Sequence, residues 1–193
     1  PEYDHILCDG KGVFTKILQR LLGKDNCSLA DSSALQNDKF AASNLFNKLA
    51  NISGEMEYTI LRKTTKIKQL CGEDTIYCER KFKHPFPFVN HAKMIFLTNQ
   101  VPLTADKTIA FYDRIFLLEF PHYFVAGKDA DPMIVEKLPE EVIEGLAWRC
   151  LDILKELWAR DFVFTNNENV ETTTKKYEDL SNPLNKFLEE NTE

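Results

Sequence analysis

The tetrapeptide Asp9-Gly10-Lys11-Gly12 lies between a short apolar run, Tyr3 to Cys8, and a stretch of helical periodicity, Val13 to Leu22. Strand, glycine-lysine turn and helix form the setting of a phosphate loop. There, main-chain N–H groups and the helix N-terminus cradle phosphates while the lysine reaches the terminal ones. A full loop reads G-x-x-x-x-G-K-[ST], the last residue ligating magnesium. Here only Asp9 separates Cys8 from Gly10, and Gly12 takes the place of the hydroxyl. Either a loop segment is missing between Cys8 and Asp9 or the site is degenerate, and we expect the former. Read in isolation, a lone GKG is equally an ordinary turn.

Other polar groups stand where apolar runs stop. Leu49 to Glu57 is strand-like and runs into Glu55 and Glu57. A carboxylate at the end of a strand beside a phosphate loop can hold magnesium, directly or through water, and polarise an attacking water. Without such a loop the pair reads as two surface glutamates. Met94 to Leu97 is a continuous apolar run of the kind found in strands covered on both faces. It ends at Thr98-Asn99, where an amide can touch a phosphate or orient a water, or simply cap the turn before Pro102. Arg114 precedes a second apolar run, Ile115 to Phe120, which predicts another strand. It can pair with Asp113 or Asp106, or reach a neighbouring subunit and neutralise phosphate charge through its planar fork.

Between these positions, Ile60 to Leu70 predicts a basic amphipathic helix ending at Gly72. Thr75 to Arg80 and Phe86 to Val89 predict a β-hairpin whose tip points Lys81, Lys83 and His84 outward. Basic groups interleaved with an aromatic can grip the backbone of a single strand and stack on a base, although a charged tip can also be merely solvated. Lys137 to Arg160 predicts a long helix whose Leu146, Trp148, Leu151, Leu154, Leu157 and Trp158 read as core. Thr165 to Thr174 reads as a linker and Lys175 to Asn191 as a helical tail broken near Pro183.

The chain of 193 residues, 44% hydrophobic and 28% charged, is long enough to bury a core and has the composition of an ordinary globular protein. No apolar run reaches membrane-span length and no signal-peptide pattern opens the sequence, so an intracellular, cytoplasmic setting is expected. Five cysteines without CxxC spacing read as reduced, mostly buried thiols rather than a zinc site or disulfide framework. A net charge of −6 confines any nucleic-acid contact to a local basic patch.

The segments GKGVFTKIL, FAASNLFNKLANISGE, IKQLCGEDTIYCERKFKHPFPF, AKMIFLTNQVP, DKTIAFYDRIFLLEFP and LPEEVIEGLAWRCLDIL follow one another over nearly all of residues 6–160. In this order they resemble the superfamily 3 helicase domain of phage and plasmid primase-helicases, a family related to poxvirus primase-helicase. The resemblance implies an α/β fold of the AAA+ type: a P-loop NTPase core with a central parallel sheet flanked by helices, a β-hairpin insertion and a C-terminal helical region. The implied organisation is an ATPase core over residues 1–127, a C-terminal helix packed on it over 128–164, and a linker with helical tail over 165–193. It further implies a replicative, ring-forming, ATP-dependent DNA helicase, usually hexameric, that works on single-stranded DNA and forks in the host cell of a virus or plasmid. A primase domain lies upstream in relatives. ATP and Mg2+ are the implied cofactors. Gly10, Lys11 and Gly12 match the end of the phosphate loop, with Lys11 on the β- and γ-phosphates. Glu55 matches the acidic residue of the second nucleotide motif, Asn99 the sensor of the γ-phosphate, and Arg114 the arginine finger given to the neighbour's ATP. Lys81, Lys83 and His84 match the hairpin that tracks DNA. The alternative is a catalytically impaired replication-initiator or scaffold subunit that binds DNA without unwinding it.

Overall fold

The computed structural model describes residues 7–56, 61, 64–125, 127–165 and 168–182, the side chains of Leu7, Cys8 and Glu55 excepted. In chain order the elements are β1 (Leu7–Cys8), α1 (Lys11–Leu22), β2 (Cys27–Ser28), α2 (Ser32–Asn37) and β3 (Ala50–Glu55). They continue with α3 (Thr65–Cys71), β4 (Thr75–Arg80), β5 (Lys83–Val89), β6 (Lys93–Leu97) and the single turn α4 (Ile109–Tyr112). Then come β7 (Phe124–Val125), α5 (Ile134–Lys137), α6 (Glu140–Ala159) and α7 (Val170–Ser181), with 3₁₀ turns at Lys24–Asn26 and Ala41–Leu45. The architecture is mixed α/β, with a small parallel sheet, a β-hairpin and C-terminal helices. Contacts divide it into two compact units: Pro1–Lys24 with Leu118–Asn167, and Asp25–Leu117 with Glu168–Glu193.

In the first unit β1 pairs antiparallel with β7, Leu7 opposite Val125 and Cys8 opposite Phe124. Arg20, near the end of α1, donates to the carbonyls of Val135 at 2.6 Å and Leu138 at 3.0 Å and to the Glu140 carboxylate at 2.8 Å. These bonds tie α1 to the start of α6, which opens after Pro139 with Glu140 and Glu141 in its first turn, as its dipole favours. The expectation that the apolar face of α6 is core is not met. Ile143 is buried, but Trp148 and Trp158 are 70% and 72% exposed, and Leu151 and Leu154 are exposed as well. A helix of this length runs about 30 Å, and the 12-residue α1 that packs on it is too short to cover it.

The second unit holds the parallel sheet in the order β2-β3-β6. Asn51 on β3 is 0% exposed; its amide oxygen accepts from the Ala30 N–H and its amide nitrogen donates to the Ala30 carbonyl, each at 2.9 Å. The side chain thus continues the ladder past the end of β2, where main-chain pairing stops. The β4–β5 hairpin turns Ile76, Cys78 and Phe88 onto Leu35, Ala41, Ala42, Leu45 and Leu70. Its prolines, Pro85 and Pro87, sit at alternate positions of β5, which pairs on one side only among the described strands, so the free edge lacks donors for a further strand. A second cluster joins Leu61, Phe111, Tyr112 and Tyr177.

The structure departs from the sequence pattern at several points. Ile115 to Phe120 forms no strand; Ile115 and Leu117 pack on the second cluster while Phe116 and Leu118 are exposed, and no described strand pairs with them. The tail helix begins earlier than expected, at Val170, where the Asn169 side chain accepts from the Thr172 N–H at 2.8 Å. Of the four cysteines whose side chains are described, Cys27 and Cys78 are buried and Cys71 and Cys150 are exposed. No helix among the described residues is long and apolar enough to cross a membrane.

Candidate functional site

β3 and β6 run parallel with Ser53 opposite Phe96 and Glu55 opposite Leu97, the register slipping by one residue in between. The Met56 N–H closes this edge on the Leu97 carbonyl at 2.8 Å. Parallel neighbours end at the same edge, so Glu55 and Asn99, two residues past Leu97, come to one carboxyl edge of the sheet. That edge is where open α/β sheets take ligands. The Thr98 hydroxyl bonds within its own turn to Gln100, leaving Asn99 on an exposed corner. Glu57 lies outside the described residues.

Arg114 follows α4, whose Phe111 and Tyr112 are each 2% exposed and anchor the turn in the second cluster. The guanidinium itself is exposed and donates to the Ala110 carbonyl at 2.6 Å. It forms no ion pair among the described residues, with Asp113 or with Asp106. Asp106 is engaged elsewhere: it accepts from Lys68 at 2.8 Å, from the Thr108 hydroxyl at 2.6 Å and from the Thr64 hydroxyl. These donors, Lys68 foremost, hold its carboxyl well below the usual range despite burial. The clasp pins the connector between Asn99 and Arg114 to α3. α7 pins it from another side, where the buried Tyr177 hydroxyl donates to the Pro102 carbonyl at 2.7 Å and Lys107 pairs with Glu178.

In the first unit, β1 passes to α1 through Asp9 and Gly10 alone, so no additional loop segment stands there. Gly10 adopts φ 84°, a left-handed conformation that glycine takes without strain. The first helical bond runs from the Phe14 N–H to the Gly10 carbonyl. Asp9 occupies the donors a phosphate would need: its carboxylate accepts from the Lys11 N–H at 3.1 Å and from the Lys11 ammonium. Burial pushes the Asp9 carboxyl up, but these hydrogen bonds and the lysine's charge outweigh it and hold it below its ordinary value. Gly12 offers no oxygen side chain, and the Thr15 hydroxyl, 7% exposed, donates to the Gly12 carbonyl at 3.1 Å. The turn therefore suits one phosphate at a helix N-terminus better than a wrapped triphosphate. No group of three or more metal-ligating side chains occurs among the described residues.

The hairpin forms, but its second strand starts at Lys83 and not at Phe86, so Lys83 and His84 open β5 beside the Lys81–Phe82 turn; Lys81, Lys83 and His84 are all exposed. Phe82 is the aromatic interleaved with these basic groups, and two details of the hairpin's geometry go beyond the sequence pattern. Phe82 is fully exposed and holds φ 62°, a conformation uncommon for an aromatic residue. Arg80 turns inward, its guanidinium 4.7 Å and 5.4 Å from the ring centres of Phe86 and Phe46. The sequence signal for Arg80 was its place at the end of an alternating strand, with Ile76 and Cys78 on the same face; a bulge after Cys78 hid it.

Lys11 with Gly10 and Gly12 thus belongs to the first unit; Glu55, Asn99, Arg114 and the tip belong to the second. Of the second group, Glu55 and Asn99 share an edge and Lys81, Lys83 and His84 share a tip. No curated protein matches the chain. A family model described as a family of unknown function, DUF5906, matches residues 8–114, a span that opens in β1 and closes on Arg114, and the chain belongs to that family.

Proposed function

We propose that this chain is the ATPase and translocation core of a ring-forming, ATP-dependent DNA helicase of the superfamily 3, AAA+ type, hydrolysing ATP between adjacent subunits. The observation that carries the reading is the joint arrival of Glu55, at the end of β3, and Asn99, just past the end of the neighbouring β6, at one carboxyl edge of a parallel sheet. There a carboxylate can polarise the attacking water while an amide reads the γ-phosphate. Lys11 would neutralise the β- and γ-phosphates once released from Asp9. Mg2+ would arrive with the nucleotide and screen its charge; Glu55 is the group of this chain proposed to hold it, directly or through water. Arg114, exposed and without an ion pair among the described residues, is proposed to complete a neighbour's site. The basic tip would grip single-stranded DNA, with an ionic hold that weakens steeply as salt rises.

A second reading is favoured by a specific observation. The two-residue connection between β1 and α1 supplies fewer phosphate donors than a full loop, which suits a scaffold or initiator subunit that binds DNA without turnover. One assay separates the readings: ATP hydrolysis with and without single-stranded DNA, by wild type and Lys11→Ala. The motor reading expects DNA-stimulated turnover that Lys11→Ala abolishes. Absence of turnover with DNA binding intact would establish the scaffold.

A further inference from the structure

The second unit contains an open cleft of about 970 Å³ at the root of the hairpin, between the end of β2, α2, the 3₁₀ turn at Ala41–Leu45 and the start of the tip. We propose that this cleft seats one nucleotide unit of a single DNA strand whose neighbouring phosphates lie along the tip. The proposal rests on the nucleic-acid reading of the hairpin and adds to it a site and a residue, Arg80, that the tip alone does not include.

Arg80 is the cation best placed to hold a phosphate there. Its guanidinium is held against Phe46 and Phe86, and no hydrogen bond or ion pair to it occurs among the described residues. A planar fork fixed by rings, with its donor edge unused, is preorganised for phosphate oxygens. Lys81 and Lys48 line the same cleft, Lys48 while donating to the Asp25 carbonyl. The lining is of mixed sign. Asp31 and Asp38 also face it, each already accepting a main-chain N–H, from Ala34 at 2.6 Å and from Phe40 at 2.8 Å. Three cations against two carboxylates favour an anion weakly. The same set suits a nucleotide better than a bare phosphate, because carboxylates accept from base N–H groups, the ring N3–H of thymine included, and Phe40 offers a ring. The volume is of the order that small-molecule sites occupy. Ser28 in the wall has a buried hydroxyl with no hydrogen-bond partner among the described residues, as has Tyr112 elsewhere in the unit, so polar pairing in this wall is incomplete.

The test uses the full chain and labelled oligo-dT, read by fluorescence anisotropy over a salt series. Arg80→Gln is expected to weaken binding about tenfold and to make the salt slope shallower by about one. The tip variant Lys83→Ala with His84→Ala should lower affinity independently. Because Arg80 also packs on two rings, wild type is cross-linked in parallel to an oligonucleotide carrying 4-thiothymidine, and the attached peptides are mapped. Cross-links at Phe40 or Phe46 support the cleft. Cross-links confined to residues 81–84, or unchanged binding by Arg80→Gln beside a weakened tip variant, overturn the cleft and leave the hairpin reading standing. If neither variant changes binding, both fall. Free dTMP at the oligonucleotide's own dissociation constant should not compete; competition at that concentration would mark a mononucleotide site and overturn the strand assignment.

Discussion

Two aspartates show how a single carboxylate can either hold the site closed or hold its surroundings still. Asp9 takes the Lys11 N–H and ammonium, the donors that a nucleotide's phosphate would claim. Asp9→Asn keeps the shape and removes the charge that competes for them. In the motor reading it should tighten ATP binding several-fold, measured by titration of a fluorescent analogue; unchanged or weaker binding would show that Asp9 does not stand in a phosphate's place. Asp106 acts on the connector instead. Its carboxyl pKa is depressed by Lys68, then Thr108 and Thr64, so its contribution is present above the unfolded value near 4 and is lost as pH falls through the depressed one. Asp106→Asn should cost roughly 2 kcal/mol at pH 7, with the deficit narrowing as the pH is taken below about 4. Urea unfolding at pH 7 and pH 3 checks this; a deficit independent of pH would mean that packing, not charge, is what the clasp supplies.

At the scale of elements, the hairpin combines strain with exposure. An L-residue in the left-handed region costs about 1 kcal/mol relative to glycine, yet Phe82 holds φ 62° with its ring in solvent. Phe82→Gly should therefore raise stability by about 1 kcal/mol in urea unfolding while weakening single-strand binding about tenfold through loss of a stacking ring. Equal binding by the variant would make the ring ornamental to the DNA contact. The hairpin, β3 and β6 were legible in the sequence because each carries its own local pattern: alternation about a basic turn, or a continuous apolar run. The two units were not, since residues 1–24 join 118–167 through long-range pairing such as Leu7 with Val125, which no local period records. α7 was legible only as a tail helix starting at Lys175, five residues after its observed start at Val170, and its packing was not legible. Its Tyr177 faces Phe111 and Tyr112 at ring separations of 5.7 and 5.6 Å, a contact between segments far apart in sequence. Ile115 to Phe120 misled for the converse reason, as an apolar run is a strand only when a neighbour supplies the ladder.

For the molecule as a whole, the groups proposed for chemistry belong to separate compact units, Lys11 in one and Glu55, Asn99 and Arg114 in the other. The motor reading assigns Arg114 to the seam with the next copy, where a planar cation can enter a site that its own chain does not complete. Loss of such a finger slows turnover by a factor on the order of 10³ to 10⁵, so Arg114→Ala and Lys11→Ala should each be nearly inactive. Their mixtures should not be. In a ring assembled from both variants, some interfaces place an intact Lys11 opposite an intact Arg114, and DNA-stimulated ATPase should reappear on mixing, peaking near equal proportions. A site built within one chain cannot be rescued in this way, because every copy then lacks one of the two cations. Activity that stays at the level of the separate variants at every ratio, with mixed assembly verified by co-purification of differently tagged copies, would therefore rule out the shared seam while leaving the proposed grip of the hairpin on DNA untouched.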